Sequence, residues 1–173
     1  MARVPLVESE ALGPELEPVS EYFRARGREL PELYRVLANA PRLLLAWTDF
    51  AWPLRNEAAL PRGLRELAIM RVAQLTGADA EWGSHAPMAL HYGIDQDQLD
   101  ELERWPASER FDASQREVLA FTDELTSGLA VDDETFSVLA QRWSPGELVE
   151  LTLTVAFYSC VSRVLLALEI EGG

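Results

Sequence analysis

The run ELVELTLTVAFYSCVSRVLLALEI, residues 147–170, constrains the fold more than any other part of the chain. Helical from Pro145 to about Glu169, it would be about 37 Å long at the standard rise. Apolar residues point outward on nearly every side for about six turns, so the helix is expected to be buried on most sides. A chain of 173 residues has limited means to surround such a helix. Either it runs through the centre of a bundle or it is shared with another subunit, and homo-oligomerisation is expected.

The rest of the sequence is compatible with that helix. With 48% hydrophobic and 25% charged residues the chain suits one compact domain. From Pro18 onward, segments with helical spacing alternate with Gly, Pro and Asp punctuation, and no segment shows the period of two that marks a half-buried strand. The fold class is all-α. Residues 1–17, with Pro5, Gly13 and Pro14 and no sustained period, read as an extended arm that a partner subunit could order. Residues 18–173 read as a single helical domain.

Start and stop signals place the helices. Pro41 opens one that Pro53 should end, with Leu44, Trp47 and Thr48 on one face. Pro61 precedes a helix from Arg62 to Leu75 closed by Gly77, and the next runs from about Asp79 to Tyr92, closed by Gly93. Asp95 with Gln98, Asp112 with Gln115, and Ser144 with Glu147 have the spacing of capping boxes. Gly128 should separate the helix after Asp112 from one starting near Asp132. Pro61, Leu64, Glu66 and Leu67 recur as Pro145, Leu148, Glu150 and Leu151, an echo that would relate two helical hairpins by a pseudo-twofold.

Composition excludes several chemistries. All 15 basic residues are Arg, so lysine Schiff-base chemistry, pyridoxal attachment and a Walker lysine are absent. One cysteine and two histidines cannot make an intramolecular disulfide, a CxxC pair or a Cys-rich zinc site. A formal charge of -14 repels nucleic acid and anionic membrane. No run reaches roughly 18 consecutive apolar residues, the span of a membrane helix, and the N-terminus lacks a signal-peptide core. A cytoplasmic, bacterial protein acting on a small molecule is expected, with no metal, cofactor, nucleic-acid or membrane partner.

Candidate chemistry concentrates in residues 60–94. Glu66 shares a stripe with Ile69, Met70 and Ala73, so its carboxylate emerges among apolar neighbours, where desolvation should raise its pKa. Glu81 and His85, four residues apart, share a face with Met88, Ala89 and Tyr92. One carboxylate orienting an imidazole, with a second opposite, is a workable set for moving a proton between substrate atoms. The alternative is structural: Glu66 pairs with Arg62 one turn away, and Glu81 and His85 form an ordinary helix pair. Arg71, Arg163, Tyr158 and Ser162 interrupt apolar helices, so each needs a partner or a cavity. Arg71 and Arg163 are either buried ion-pair partners or groups that hold a substrate carboxylate or enolate. Trp82, beside Glu81, could wall a small pocket. His91 reads as a helix C-terminal cation and Cys160 as a small core residue with a poorly ionised thiol.

The order LPRGLRELAIMRVA, EWGSH, ALHYGI and the final apolar helix resembles the carboxymuconolactone decarboxylase family, which includes the alkylhydroperoxidase D-like proteins. The resemblance covers roughly Leu30 to Ile170 and implies an oligomeric, all-helical bundle. In the redox branch a Glu lies twelve residues before a CxxC, and a His follows the second Cys by four. Glu66 and His85 fall on the Glu and His positions, but Ala78 and Glu81 stand where the cysteines would be. Thiol peroxidase activity therefore does not carry over. The EWxxH form, Glu81 to His85, resembles the lactone-decarboxylase-like branch, which implies cofactor-free acid/base chemistry on a small oxidised organic acid or lactone. It also implies a homo-oligomer: a trimer, a hexamer or a dimer. The resulting expectation is a lyase or isomerase in which His85 exchanges a proton with substrate, Glu81 orients the imidazole and Glu66 is the second acid or base. Arg71, Trp82, Tyr158 and Arg163 would bind substrate. The alternative is a non-enzymatic helical oligomer with a structural Glu/His cluster.

Overall fold

In the computed structural model, which describes residues 2–171, the regular elements are all helical. Contacts within the chain fall into two compact units, Met1–Glu57 with Val164–Gly173, and Ala58–Arg163.

The first unit contains helices α1 (Glu17–Arg24), α2 (Glu32–Leu37) and α3 (Pro41–Asn56). Phe23 and Tyr34 meet edge to face at 4.8 Å, and Tyr22 stacks on Trp52 at 4.1 Å. Pro53 does not end α3 as its sequence signal predicts. It sits inside the helix on an exposed face, and the carbonyl it leaves unpaired belongs to exposed Asp49, which water can satisfy. Ala51 and Leu54, buried on the opposite face, hold the helix through it. The N-terminal arm is tied to its own chain: the Arg3 amide donates to the Leu168 carbonyl, and the Val7 amide to that of Arg35. Short 3-10 turns at Ser9–Ala11 and Pro14–Leu16 follow, and Leu16 is buried.

The second unit contains α4 (Arg62–Thr76), α5 (Asp79–His91), α6 (Gln96–Glu101), α7 (Ala113–Gly128) and α8 (Asp133–Arg142), with a 3-10 segment at Leu102–Ala107. Helix α9 (Pro145–Leu168) lies in it as far as Arg163. The most enclosed helix is α4, buried without interruption from Leu64 to Ala73. It packs against both α5 and α7, which explains why even its charged residues are internal. Leu67, Met70, Ala89, Leu99, Leu102 and Leu119 form the centre of the core around it. The chain crosses closely at Gly63, where a Cβ would stand 2.6 Å from the Tyr92 carbonyl oxygen. Gly77 and Gly93 end α4 and α5 with φ of 66° and 91°. All three capping boxes form, that of Ser144 and Glu147 through reciprocal bonds of 2.8 and 3.3 Å.

Three further expectations need correction. Gly128 is the last residue of α7, and the left-handed position falls on Leu129, with φ 70°. Helix α9 is not buried all round: half of its most apolar window is buried, and Val149, Leu153, Ala156 and Cys160 are exposed along one stripe. By length and mean hydropathy, 1.8, α9 also meets the measure of a membrane-crossing helix. Cys160 is therefore a surface thiol rather than a core residue.

Candidate functional site

Glu66, Glu81 and His85 meet inside the second unit. Helix α4 carries Glu66 on its enclosed run, and α5 brings Glu81 and His85 to it on one face. His85 Nδ1 donates to Glu66 Oε2 at 2.7 Å, and Nε2 stands 3.1 Å from Glu81 Oε1. The second contact is within ion-pair reach, yet Glu81 Oε1 has no well-aligned hydrogen bond. The imidazole thus lies between two carboxylates with one nitrogen toward each. The three side chains are 0–4% exposed.

Arg62 completes the array. Its Nε and Nη2 approach Glu66 Oε1 at 2.6 and 2.5 Å, and its side chain is 17% exposed. The ion pair raised in the structural alternative and the carboxylate–imidazole contact are therefore both present, one on each oxygen of Glu66. Burial drives the Glu66 pKa up, but His85 and Arg62 pull harder, and the carboxyl titrates below its ordinary range. That reverses the expectation of a raised pKa, which considered the apolar stripe without its two cationic partners. Burial likewise favours a neutral imidazole, and the two carboxylates override it, Glu66 foremost, so His85 titrates above its ordinary value. The two shifts work together, favouring a carboxylate at Glu66 beside an imidazolium at His85.

The side chains expected to bind substrate are dispersed. Tyr158, buried on α9, stands edge to face with His85 at 4.9 Å. Trp82 is half-buried and packs against the core around Leu67 and Met70. Arg71 is held by Asp123, with bonds of 2.6 and 2.9 Å, and also donates to Gln74 and the Leu102 carbonyl. Trp105 Nε1 donates to the same carboxylate at 3.0 Å. Arg71 therefore takes the ion-pair role and ties α4 to α7. Arg163 is exposed and donates to the Ser159 carbonyl of its own helix.

One buried charge was not singled out from the sequence. Arg65 is internal, donates to the Leu60 carbonyl at 3.0 Å, and has its pKa lowered by burial and by the Arg62 charge. Glu150, the echo of Glu66, accepts from the Ala59 and Leu60 amides at 3.0 and 2.7 Å. The two echoed acids thus do different work, one holding a loop and one a histidine. Arg65 interrupts an apolar helix as Arg71 does, and that signal could have marked it. Among the described residues, no group of three His, Cys, Asp or Glu side chains is placed to hold a metal ion.

Residues 41–124 match the carboxymuconolactone decarboxylase family model. That match assigns this segment to the carboxymuconolactone decarboxylase family. No curated protein matches the chain. Its fold is that of the AhpD core. An alkylhydroperoxidase AhpD core protein from Ralstonia eutropha JMP134, described as peroxidase-related, superposes with a TM-score of 0.85 at 17% identity, covering 99% of this chain and 92% of that one. A peroxidase-related protein from Silicibacter sp. TM1040 gives 0.83 at 19% identity, covering 99% and 94%. A variant of the debrominase Bmp8 in complex with 2,3,4-tribromopyrrole gives 0.82 at 21% identity, covering 100% and 92%.

Proposed function

We propose that this protein is a cofactor-independent acid/base enzyme, of the decarboxylase, other lyase or isomerase type, acting on a small oxidised organic acid or lactone. The observation that carries this reading is the buried imidazole with a carboxylate on each nitrogen. The geometry favours roles reversed from those expected. Glu66, pinned by Arg62, accepts Nδ1–H and positions the ring. Glu81, facing Nε2 with hydrogen-bonding capacity to spare, is the second acid or base.

In a decarboxylation the carbon–carbon bond breaks, carbon dioxide leaves, and the electron pair remains on the substrate as an enolate. The His85 imidazolium stabilises that charge, and its Nε2 proton, passed directly or by way of Glu81, ends on carbon. Arg71, committed to Asp123, is not needed for this step. Thiol chemistry is not proposed, because Ala78 and Glu81 occupy the positions of the redox pair and Cys160 is an exposed residue of α9.

The test is deuterium incorporation from heavy water into a panel of small lactones and keto acids, followed by NMR. Wild-type protein should exchange at least one carbon-bound proton, and His85→Ala and Glu81→Gln should lose about a hundredfold or more of that rate while remaining folded. Undiminished exchange in His85→Ala would sink the assignment. A second reading, a non-enzymatic scaffold, is favoured by one observation: the Arg62–Glu66–His85–Glu81 chain is an internal ion-pair network. It requires that no member of the panel exchange. For either reading we propose a homo-oligomer, supported by the exposed apolar stripe of α9. Light scattering on wild-type protein and Leu153→Glu tests it, since a charge in the stripe should yield the smaller species.

A further inference from the structure

Both nitrogens of the His85 imidazole are occupied. Glu66 Oε2 is 2.7 Å from Nδ1, and Glu81 Oε1 is 3.1 Å from Nε2. A substrate atom that exchanges a proton with the ring must itself come within about 2.6–3.2 Å of one nitrogen, so one carboxylate has to withdraw first. Glu66 is held fast. Arg62 grips its other oxygen through two nitrogens, and it lies in the stretch of α4 that is buried without interruption from Leu64 to Ala73. Glu81 is held less firmly. Its contact with Nε2 is not a well-aligned hydrogen bond, and it stands in the first turn of α5.

That turn is weakly built for three separate reasons. Its N-cap is Ala78, which has no side chain to satisfy the first amides. Gly83, two residues past Glu81, is the poorest helix former after proline. Nothing around it requires a glycine, since its φ is not left-handed and a Cβ there would meet nothing within 4 Å. Pro87 lies inside α5 and has no N–H to offer the Gly83 carbonyl four residues before it. Gly83 and Pro87 are both exposed, so core packing does not call for either.

Resting on the acid/base reading above, we propose that the first turn of α5, Asp79–Gly83, is a gate hinged at Gly83 that swings Glu81 off His85 Nε2 to admit substrate. The structure is the closed state. On opening, the imidazole stays on Glu66, which Arg62 pins, and Nε2 is uncovered. On closing, Glu81 returns against the bound molecule as the second acid or base. Trp82, half-buried against the core, travels with the turn and opposes its opening.

The experiment treats the full chain with diethyl pyrocarbonate, which carbethoxylates an accessible imidazole nitrogen. Peptide mass spectrometry reads the modification, and amide hydrogen exchange by NMR runs beside it. Exposed His91 is the internal reference. The His85 rate relative to His91 and the protection of the Leu67–Val72 amides of α4 each give an opening fraction, and the first should exceed the second by about tenfold or more. Gly83→Ala should slow His85 modification and raise protection of the Trp82–Ser84 amides by about threefold to fivefold, the ratio set by the helix propensities of glycine and alanine. Pro87→Ala, which restores the missing N–H, should do so by about tenfold or more. The proposal is overturned if His85 reacts as fast as His91, if its opening matches that of the α4 amides, or if neither substitution slows it. These readouts need no substrate, so they are separable from the acid/base reading, which stands or falls on proton exchange in His85→Ala.

Discussion

Replacing Glu66 by Gln changes one atom and removes the charge that holds both Arg62 and His85. The amide keeps a single acceptor, whereas the carboxylate serves Arg62 through Oε1 and His85 Nδ1 through Oε2. One charge-assisted bond is therefore lost and an amide N–H is turned toward a donor. Bonds to charged groups contribute about 1.5–3 kcal/mol each, and breaking a buried pair costs about 3–5 kcal/mol when the survivor has no escape. Arg62 has an escape, being 17% exposed, and His85 has another, because it can lose its proton. The sign of the pH dependence follows from the two shifts. His85 is raised, so its share is complete below its unfolded value of about 6.5 and disappears as pH rises through the folded one. Glu66 is lowered, so its share is complete above about 4.3 and disappears as pH falls through the folded value. Glu66→Gln should accordingly cost about 2–4 kcal/mol near pH 5.5, where both charges are in place, and less toward pH 9, as the imidazole gives up its proton and becomes able to accept from the amide. Urea unfolding at the two pH values, followed by far-ultraviolet circular dichroism with an unchanged m-value, measures both losses. Equal losses at the two pH values, or a gain near pH 5.5, would refute the charged pair.

Gly63→Ala should destabilise the protein by about 1–3 kcal/mol, because the new methyl meets the Tyr92 backbone oxygen at 2.6 Å and backbone cannot swing away; an unchanged midpoint would place the crossing elsewhere. Arg71→Met should cost about 2–4 kcal/mol by stranding Asp123 and the Leu102 carbonyl. The folded Arg71→Met protein should keep the proton exchange of the wild type, and loss of exchange at full stability would restore Arg71 to the site. Leu129→Gly should stabilise by about 0.5–1 kcal/mol, since Leu129 is 83% exposed and holds a left-handed φ of 70°. Thermal unfolding decides that sign.

The helical fold was legible because its boundary signals are local. Gly77 and Gly93 take the left-handed φ their positions require, and three capping boxes close as spaced. The failures are those where a local signal meets tertiary context. Pro53 ends a helix only if the carbonyl it orphans cannot reach water, and that depends on which face of α3 is exposed. Gly128 carries the chemistry of a cap, yet the left-handed turn falls one residue later, on Leu129. The enclosure of helices shows the same limit. Helix α9 has the more apolar sequence, but α4 is the one packed against α5 and α7. Apolar residues state what a helix can tolerate, and the neighbours decide what is covered.

The site divides along a similar line. Spacing along one helix placed Glu81 with His85, because residues four apart must share a face. The contact of Glu66 with His85 across two helices came only from a family resemblance. Nothing in the spacing could say which carboxylate takes Nδ1 and which faces Nε2, and that choice sets the roles: the acid that Arg62 pins is a fixed holder, and the other keeps open bonding capacity. The pKa of Glu66 went the same way, since the apolar stripe is visible in sequence but its two cationic partners are assembled only by folding. Arg71 and Arg65 complete the lesson. Both interrupt the same buried helix, and one finds a carboxylate on α7 while the other finds the Leu60 carbonyl. A buried arginine read from sequence promises an acceptor; whether that acceptor is a substrate is decided by counting those the protein already supplies. Here the count is filled by acceptors of the protein itself.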